Sequence, residues 1–140
     1  MMKLDVWDRF QNLFQSIENQ LAEELRKKSD LGLSEFRTLR SLVQQPDHEM
    51  RMLDLAELLH LTQSSTTRLV ERLEKRKFVY RDSCPSDGRG KYCVLTEDGK
   101  TYIETAIPEF ENSIERILKS SFEEKYARSL IRELGQLAST

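Results

Sequence analysis

The sequence predicts a mainly α-helical protein with a small β-hairpin, and three observations support this fold class. Apolar residues recur every three or four positions along most of the 140 residues, which is the period of an amphipathic helix. Residues 78–95 instead hold two β-prone runs around a turn rich in Gly, Pro, Ser and Asp. Two short helical segments joined by a tight turn come directly before that hairpin. This order predicts a winged helix-turn-helix, in which the hairpin is the wing.

Length and composition limit the classes of function. A chain of 140 residues with a net charge of −2 is long enough to bury a core without metals or disulfides. Its two cysteines are too few for a secreted disulfide framework or a structural zinc site. Neither of its two histidines has the sequence neighbourhood of a nucleophile or metal site, so we predict no catalytic residue and no enzyme. Because charges run through the first 20 residues, we expect no export signal or membrane segment. We also expect a cytoplasmic location and no metal or cofactor.

Two helices are predicted at the start of the chain. The first is long and amphipathic and runs from Asp5 to about Lys28. Its apolar stripe consists of Trp7, Phe10, Phe14, Ile17 and Leu21. The second is shorter, with Ser34 as its predicted N-cap. Its inward positions are Phe36, Leu39, Leu42 and Val43. The segment QQPDHE that follows is predicted to be a loop.

The third and fourth helices form the predicted helix-turn-helix. The third, LDLAELLHL, has as candidates for burial Leu55, Ala56, Leu58 and Leu59. The fourth lies in LTQSSTTRLVERLEKRKFV, and the Thr62 hydroxyl is a suitable N-cap for it. Its predicted inward residues are Thr66, Leu69, Val70 and Leu73.

The predicted wing and two further helices complete the chain. The wing consists of two β-prone runs, Phe78 to Ser83 and Lys91 to Leu95. Thr96 then caps a long helix that runs to about residue 121, with two acidic residues in its first turn. The apolar stripe of that helix comprises Tyr102 or Ile103, Ile107, Phe110, Ile114, and Ile117 or Leu118. A last helix carries Tyr126, Leu130, Ile131, Leu134 and Leu137.

The start of the fourth helix has the chemistry of a DNA-contacting surface. Small side chains allow close approach to phosphates and base edges, and the unpaired N–H groups of a helix N-terminus attract phosphate. The predicted DNA contacts on this recognition helix are Thr62, Gln63, Ser64, Ser65, Thr67, Arg68 and Arg72. Residues 68–91 hold eight basic and four acidic residues, a net charge of +4, so the other residues sum to −6. Positive charge is therefore concentrated on this helix and the hairpin, where Lys91 is a further predicted contact.

Five short motifs follow one another between residues 55 and 99. They are the pair Leu55-Ala56, the Ser/Thr-rich helix start, the pair Leu73-Glu74, the wing signature Asp87-x-Arg89, and the helix restart Leu95-Thr96-x-x-Gly99. Together they resemble the winged-helix core of MarR-type transcriptional regulators. Because long flanking helices are also typical of that family, the resemblance extends to the whole chain.

The resemblance implies a homodimer that binds double-stranded DNA at a near-palindromic operator, with one recognition helix on each half-site. Residues 1–30 and 100–140 would form the dimerisation region, and residues 31–99 the DNA-binding lobe. Asp87 would orient the wing, and Arg89 would enter the minor groove. The family also implies a repressor released by a small aromatic or anionic effector. Candidate wall residues for the effector pocket are Phe14, Phe36 and Tyr102, although aromatic residues on a helix stripe usually pack in the core.

Two positions depart from the family pattern. Lys77, after the recognition helix, and His60, in the turn, stand where the family often has Gly or a small residue. A non-Gly residue at positive φ costs roughly 1 kcal/mol. We therefore expect the chain to close differently at these two positions.

Two alternatives to an effector-released repressor stay open. One is a winged-helix protein-interaction module that does not bind DNA, which a salt-dependent DNA-binding assay would distinguish. The other is a redox-responsive regulator, because a hairpin centred between Gly88 and Arg89 would place Cys84 opposite Cys93. The simpler expectation is that both thiols stay reduced, since no flanking basic residue clearly activates either of them.

Overall fold

Six helices and three strands make up the part of the chain that the computed structural model describes, residues 2–83 and 91–137. The helices are α1 (Lys3–Ser29), α2 (Leu33–Gln44), α3 (Met52–Leu59), α4 (Gln63–Lys75), α5 (Glu97–Ser121) and α6 (Glu124–Gly135). The strands are β1 (Glu49–Arg51), β2 (Val79–Ser83) and β3 (Lys91–Leu95). The predicted winged helix-turn-helix is confirmed, with α3 and α4 as the two short helices and β2 and β3 as the wing. Among these described helices, none combines the length and the apolar character needed to cross a membrane.

The sheet has a third strand, β1, in a segment where the sequence predicts a loop. β1 has three residues and pairs antiparallel with β3, with Arg51 opposite Tyr92. β2 pairs antiparallel with the other side of β3, with Ser83 opposite Lys91, so the strand order is β1-β3-β2. The loop prediction is wrong at Glu49 because the wing strand β3 offers a second hydrogen-bonding edge to the chain that precedes α3.

The core packs the inner face of α4 against α2, α3 and the sheet. The α4 residues buried there are Thr66, Leu69, Val70 and Leu73, as the helical spacing predicts. They join a cluster that includes Leu39, Leu42 and Leu55, each with no exposed surface. The Thr66 hydroxyl is satisfied in this apolar setting because it donates to Thr62 O at 2.9 Å.

One burial prediction for α3 is wrong. Leu55, Ala56 and Leu59 are buried, but Leu58 is 41% exposed. In this eight-residue helix, Leu55 and Leu59 lie one turn apart on the inner face, whereas Leu58 falls to one side of it.

The start of α2 also differs from the prediction. The N-cap is Gly32, whose backbone N–H donates to Glu35 Oε1 at 2.8 Å. Ser34 lies inside the first turn, so its assignment as the N-cap is wrong. A glutamate three residues after the cap satisfies the free N–H instead. The predicted cap of α5 is confirmed, because the Thr96 hydroxyl accepts from the Gly99 N–H at 3.0 Å.

The left-handed backbone conformation ends both helices of the helix-turn-helix. His60 caps α3 with φ of 55°, and Lys77 follows α4 with φ of 64°. The amide after each of them donates to a carbonyl five residues earlier, at 3.0 Å in both turns. The expectation that the chain closes differently at these positions is therefore wrong, because both residues adopt the conformation that favours glycine.

α1 lies alongside α5, and much of its apolar stripe faces outward. Trp7, Phe10 and Phe14 are each more than half exposed. On α6 the exposed apolar residues are Tyr126, Ile131 and Leu134, and Leu137 lies just beyond the end of that helix. The described part of the chain therefore leaves two apolar helix faces uncovered, more than a monomer usually exposes.

Candidate nucleic-acid interface

The N-terminal turn of α4 is organised by the Thr62 hydroxyl. Its Oγ1 accepts from the Ser65 N–H at 3.1 Å and donates to Ser65 Oγ at 3.0 Å, and Ser64 Oγ lies 3.2 Å away. The first turn of α4 contains no acidic residue. The partial positive charge at this helix end is therefore not neutralised locally, and the end suits an anionic group such as phosphate.

The predicted DNA contacts of α4 lie on the face opposite the core. The exposed members are Thr62, Gln63, Ser64, Arg68 and Arg72, and the half-buried ones are Ser65 and Thr67. Thr67 donates its hydroxyl hydrogen to Gln63 O at 2.9 Å, so this hydroxyl is already satisfied within the helix. Six of the seven residues thus lie at the N-cap or in the first two turns of α4, whereas Arg72 lies in its last turn.

A groove of about 560 Å³ lies between the start of α4 and the sheet. Its basic residues are Arg51, Arg81 and Lys91, and α4 contributes Gln63 and Thr67. The predicted wing contact Lys91 is exposed, and it lines this groove together with residues of the recognition helix. A positively charged groove beside a helix N-terminus is complementary to a phosphate backbone.

Two of these basic residues are missing from the sequence-based set of contacts. Arg51 belongs to β1, and its Nε donates to the hydroxyl of Tyr92, 41 positions away, at 3.1 Å. Because β1 depends on a distant partner, no local pattern reveals Arg51. Arg81 contributes to the positive charge of residues 68–91, and that charge count is the signal that points to it.

Arg81 also joins the wing to the recognition helix. Its Nε lies 2.8 Å from Glu74 Oε1, and its backbone N–H donates to Glu74 Oε2 at 3.3 Å. Glu71, one turn earlier on α4, is 3.8 Å from the same guanidinium. The position of β2 relative to α4 is therefore fixed through both the main chain and the side chain of Arg81.

The predicted contacts at the wing tip, Asp87 and Arg89, lie outside the described residues, as does Cys84. The strand register nevertheless tests the expected cysteine pairing. Cys93 lies opposite Arg81 on β2 and Met50 on β1. The expectation that Cys93 lies opposite Cys84 is therefore wrong, because both neighbours of Cys93 in the sheet are other residues.

Burial makes the Cys93 thiol a poor nucleophile. It has no exposed surface and lies in the central strand of the sheet. Desolvation, with a smaller contribution from the negative charge of Glu74, raises the pKa of this thiol to about 12. At neutral pH the reactive thiolate is therefore almost absent, and the redox-responsive alternative loses the geometry that suggested it.

The three candidate effector residues do not share a single pocket. Phe14 is exposed and Phe36 is buried, and both line a cavity of about 680 Å³ between α1, α2 and α5. Phe36 packs against Phe110 with ring centroids 4.3 Å apart. Tyr102 lines a different cavity, of about 720 Å³, together with Phe78 at the end of α1.

Residues 31–91 match the family model described as the MarR family. A protein of Bacillus cereus described as an uncharacterized HTH-type transcriptional regulator is 34% identical over 97 residues, covering 69% of this chain and 62% of that relative. The transcriptional repressor MprA of Escherichia coli is 27% identical over 114 residues, covering 76% of this chain and 65% of MprA. This chain thus spans less than two thirds of the length of both curated relatives.

Solved structures resemble the chain over nearly its whole length. Sco3205, a MarR family transcriptional regulator from Streptomyces coelicolor in complex with DNA, has a TM-score of 0.82 and 25% identity, covering 94% of this chain and 82% of that one. The Staphylococcus aureus MepR–DNA complex has a TM-score of 0.73 and 21% identity, covering 97% of this chain and 96% of that one, which supports the fold alone. Residues 31–91 contain α4 and most of the basic groove. This segment is therefore similar to the MarR family, and the fold of the whole chain is similar to that of MarR family transcriptional regulators.

Proposed function

We propose that this protein is a sequence-specific, double-stranded DNA-binding transcriptional regulator that works in the cytoplasm as a homodimeric repressor. The observation that carries the proposal is the surface formed by α4 and the sheet. A helix N-terminus without acidic residues opens beside a groove with three basic side chains, while the leucines of the same helix are buried. This combination suits a duplex, whose phosphates need positive charge and whose major groove admits one helix.

The predicted contacts divide into two roles. The residues of the first turn, Gln63, Ser64 and Ser65, lie where a recognition helix approaches base edges. Backbone phosphates would be neutralised by Lys91, which lines the basic groove, and by Arg68 and Arg72, which lie on α4 outside it. Asp87 and Arg89 keep the roles that the family implies, orientation of the wing and entry into the minor groove.

The homodimer is supported by the uncovered apolar faces of α1 and α6. Residues 1–30 and 100–140 form the dimerisation region in this proposal, and residues 31–99 form the DNA-binding lobe. A second copy would bury side chains such as Phe10 and Ile131 that are now more than half exposed. Deletion of residues 1–28 should therefore yield an aggregating or unfolded chain, and a stable, soluble monomer would refute this assignment.

Release by a small effector is the regulatory part of the proposal. The cavity beside Phe14 and Phe36 is lined by two arginines, Arg37 and Arg40, and by two glutamates, Glu18 and Glu111, so it offers apolar walls together with charges of both signs. An aromatic carboxylate would use the aromatic walls and the arginines of that lining. Repression is supported by the relative MprA, which is described as a transcriptional repressor. Titration with benzoate tests this part, and release of bound DNA is the expected result.

DNA binding is tested by selecting duplexes from a random pool with the full-length protein and measuring affinity by fluorescence anisotropy at several salt concentrations. Wild-type affinity should fall steeply with salt, with a slope of about 0.9 for each phosphate neutralised. Ser65→Glu should abolish binding, and Arg68→Ala should weaken it and flatten the salt dependence. Arg128→Ala, which removes an exposed arginine on α6, is the matched control and should change neither. If no duplex is selected, the protein-interaction alternative replaces this proposal.

A further inference from the structure

One arginine at the C-terminal end of the recognition helix contacts both long helices. Arg76 is the C-cap residue of α4 and lies at the opposite end from the proposed first-turn contacts Gln63, Ser64 and Ser65. Its Nη1 donates to Asp30 O at 2.6 Å, and its Nη2 lies 3.6 Å from the Asp30 carboxylate. Asp30 is the C-cap of α1 and has φ of 50°, so Arg76 binds the turn at which α1 ends.

Tyr102 of α5 completes this junction. Its hydroxyl accepts from Arg76 Nη2 at 3.2 Å and donates to Ser29 O, the last residue of α1. The Arg76 guanidinium lies 4.8 Å from the Phe78 ring centroid and 5.4 Å from that of Tyr102. The two rings are themselves 4.4 Å apart. The Arg76 side chain thus contacts α1, α5 and Phe78, the residue that precedes β2.

No other side-chain hydrogen bond in the described part of the chain joins α4 or its C-cap to α1 or α5. The rest of α4 packs within its own lobe, against α2, α3 and β2. The described polar contacts between this helix and the two long helices are therefore concentrated at the C-terminal end of α4. There the Thr96 hydroxyl, which caps α5, also contacts the Lys77 carbonyl oxygen at 2.7 Å and the Phe78 carbonyl oxygen at 3.1 Å.

We infer that Arg76 and Tyr102 are positioning residues that set the direction of the recognition helix relative to α1 and α5, and thereby the half-site spacing that the dimer accepts. The inference rests on the proposed function, because half-sites exist only for a DNA-binding dimer. α4 has 13 residues and is therefore about 20 Å long. A tilt of about 10° at Arg76 displaces the N-terminal turn by about 3.5 Å, which is close to the rise of one base pair.

The test uses the duplex selected by the wild-type protein, and versions with one base pair inserted or removed at its centre. Each change moves one half-site by about 3.4 Å and turns it by about 35°. The wild-type dimer should lose at least about tenfold in affinity for the altered duplexes. Arg76→Met and Tyr102→Phe should lose less than about threefold, because a less firmly held α4 can follow the displaced half-site.

A matched control separates positioning from charge and from stability. Lys75→Met removes the neighbouring exposed positive charge, and it should weaken binding to all duplexes equally and keep the wild-type penalty for altered spacing. A variant that only loses folding stability should also keep the wild-type penalty for altered spacing. If Arg76→Met and Tyr102→Phe also keep the full spacing penalty, the positioning role is refuted while DNA binding stands.

A second measurement does not require DNA. Spin labels on Ser64→Cys, in a Cys84→Ser background, report the distance between the two recognition helices in the free dimer. Arg76→Met and Tyr102→Phe should broaden the distance distribution, whereas Lys75→Met should leave it unchanged. If the wild-type protein binds no duplex, the proposed function fails. An unchanged distribution in both junction variants would then refute the inferred control of helix direction as well.

Discussion

Arg116 of α5 donates to both carboxylate oxygens of Glu24 on α1. Lys28 Nζ lies 3.2 Å from the same carboxylate, and Ser113 Oγ donates to it at 3.4 Å. The hydrogen bond from Arg116, offset in part by desolvation and supported by Lys28, lowers the pKa of Glu24 from 4.5 to about 2. The contact between the two long helices therefore includes an ion pair in which the carboxylate of Glu24 is ionised.

The pairing of Glu24 predicts a pH dependence of stability. A carboxyl whose pKa is lower in the folded state stabilises the fold above its unfolded pKa, and this contribution disappears as the pH falls from about 4.5 toward 2. Glu24→Gln should lower the melting temperature at pH 7, and its difference from the wild type should shrink toward pH 3. Glu23→Gln is the control, because its ion pair with Lys27 is exposed on both sides. A Glu24→Gln deficit of the same size at every pH would contradict this prediction.

The link between Glu74 and Arg81 predicts a mutation that affects binding more than folding. Both side chains keep roughly 30% of their surface exposed, so the pair adds little to stability. Glu74→Gln should lower the affinity for the selected duplex about three- to tenfold, because the wing loses its fixed position beside α4. The double variant Glu74→Arg with Arg81→Glu should recover part of the loss. Wild-type affinity in Glu74→Gln would show that the wing is held by other contacts.

Gly99 in α5 predicts a severe stability defect. A Cβ at this position would lie 2.8 Å from Leu95 Cδ1 and even closer to the carbonyl oxygen of Phe78. Gly99→Ala should therefore reduce the free energy of unfolding by about 1 to 3 kcal/mol, as measured in urea. Gly135→Ala is the control, since a Cβ at Gly135 would meet nothing within 4 Å, and it should be neutral or slightly stabilising. Equal stability of the two variants would contradict the close approach of α5 to Phe78.

The left-handed residues His60 and Lys77 predict two stabilising substitutions. Both side chains are exposed, so glycine removes backbone strain without removing core contacts. His60→Gly and Lys77→Gly should each raise the free energy of unfolding by about 0.5 to 1 kcal/mol, after the entropy of the more flexible unfolded chain is deducted. Gln45→Gly is the control, because Gln45 caps α2 at φ of −77° and glycine there should destabilise the fold. Destabilisation by all three glycines would rule out strain at His60 and Lys77.

The buried thiol of Cys93 predicts chemical inertness. With a pKa of about 12, its thiolate fraction at pH 8 is about one in ten thousand, and the sulfur has no exposed surface. In a Cys84→Ser background, alkylation at pH 8 should be at least about a hundredfold slower in the folded protein than in guanidinium. Mild peroxide should leave the affinity for DNA unchanged. Rapid modification of the folded protein would revive a redox role.

The residues of α4 show what a single sequence can predict. Its cap, its inward leucines and its polar face all depend on neighbours within one or two turns, and the 3.6-residue period reveals them. Effects that depend on distant partners are hidden. β1 becomes a strand only because β3 lies beside it, and the groove residue Arg51 is missed for the same reason.

The failed predictions have equally specific causes. Ser34 resembles a cap in isolation, but Glu35 and Gly32 provide the hydrogen bond. The expected pairing of the cysteines assumes a hairpin centred between Gly88 and Arg89, whereas the observed register places Ser83 opposite Lys91 and Arg81 opposite Cys93. The helical period predicts which side of a helix faces inward, but it does not predict which cavity a side chain lines. The sequence therefore could not assign Phe14 and Tyr102 to separate cavities.

β1 also has a consequence for cooperativity. It joins the segment before α3 to the wing, so a strand from each side of the helix-turn-helix holds β3 in place. Opening the β1 edge should uncouple α3 from β3 and expose the packed face of α4 to solvent. The amides of β3 and of the buried face of α4 should therefore exchange with deuterium as a single unit, while the amides near the start of α1 exchange earlier. The lobe formed by α3, α4 and the sheet would then behave as one foldon, and a signal from the long helices would turn it as a rigid body.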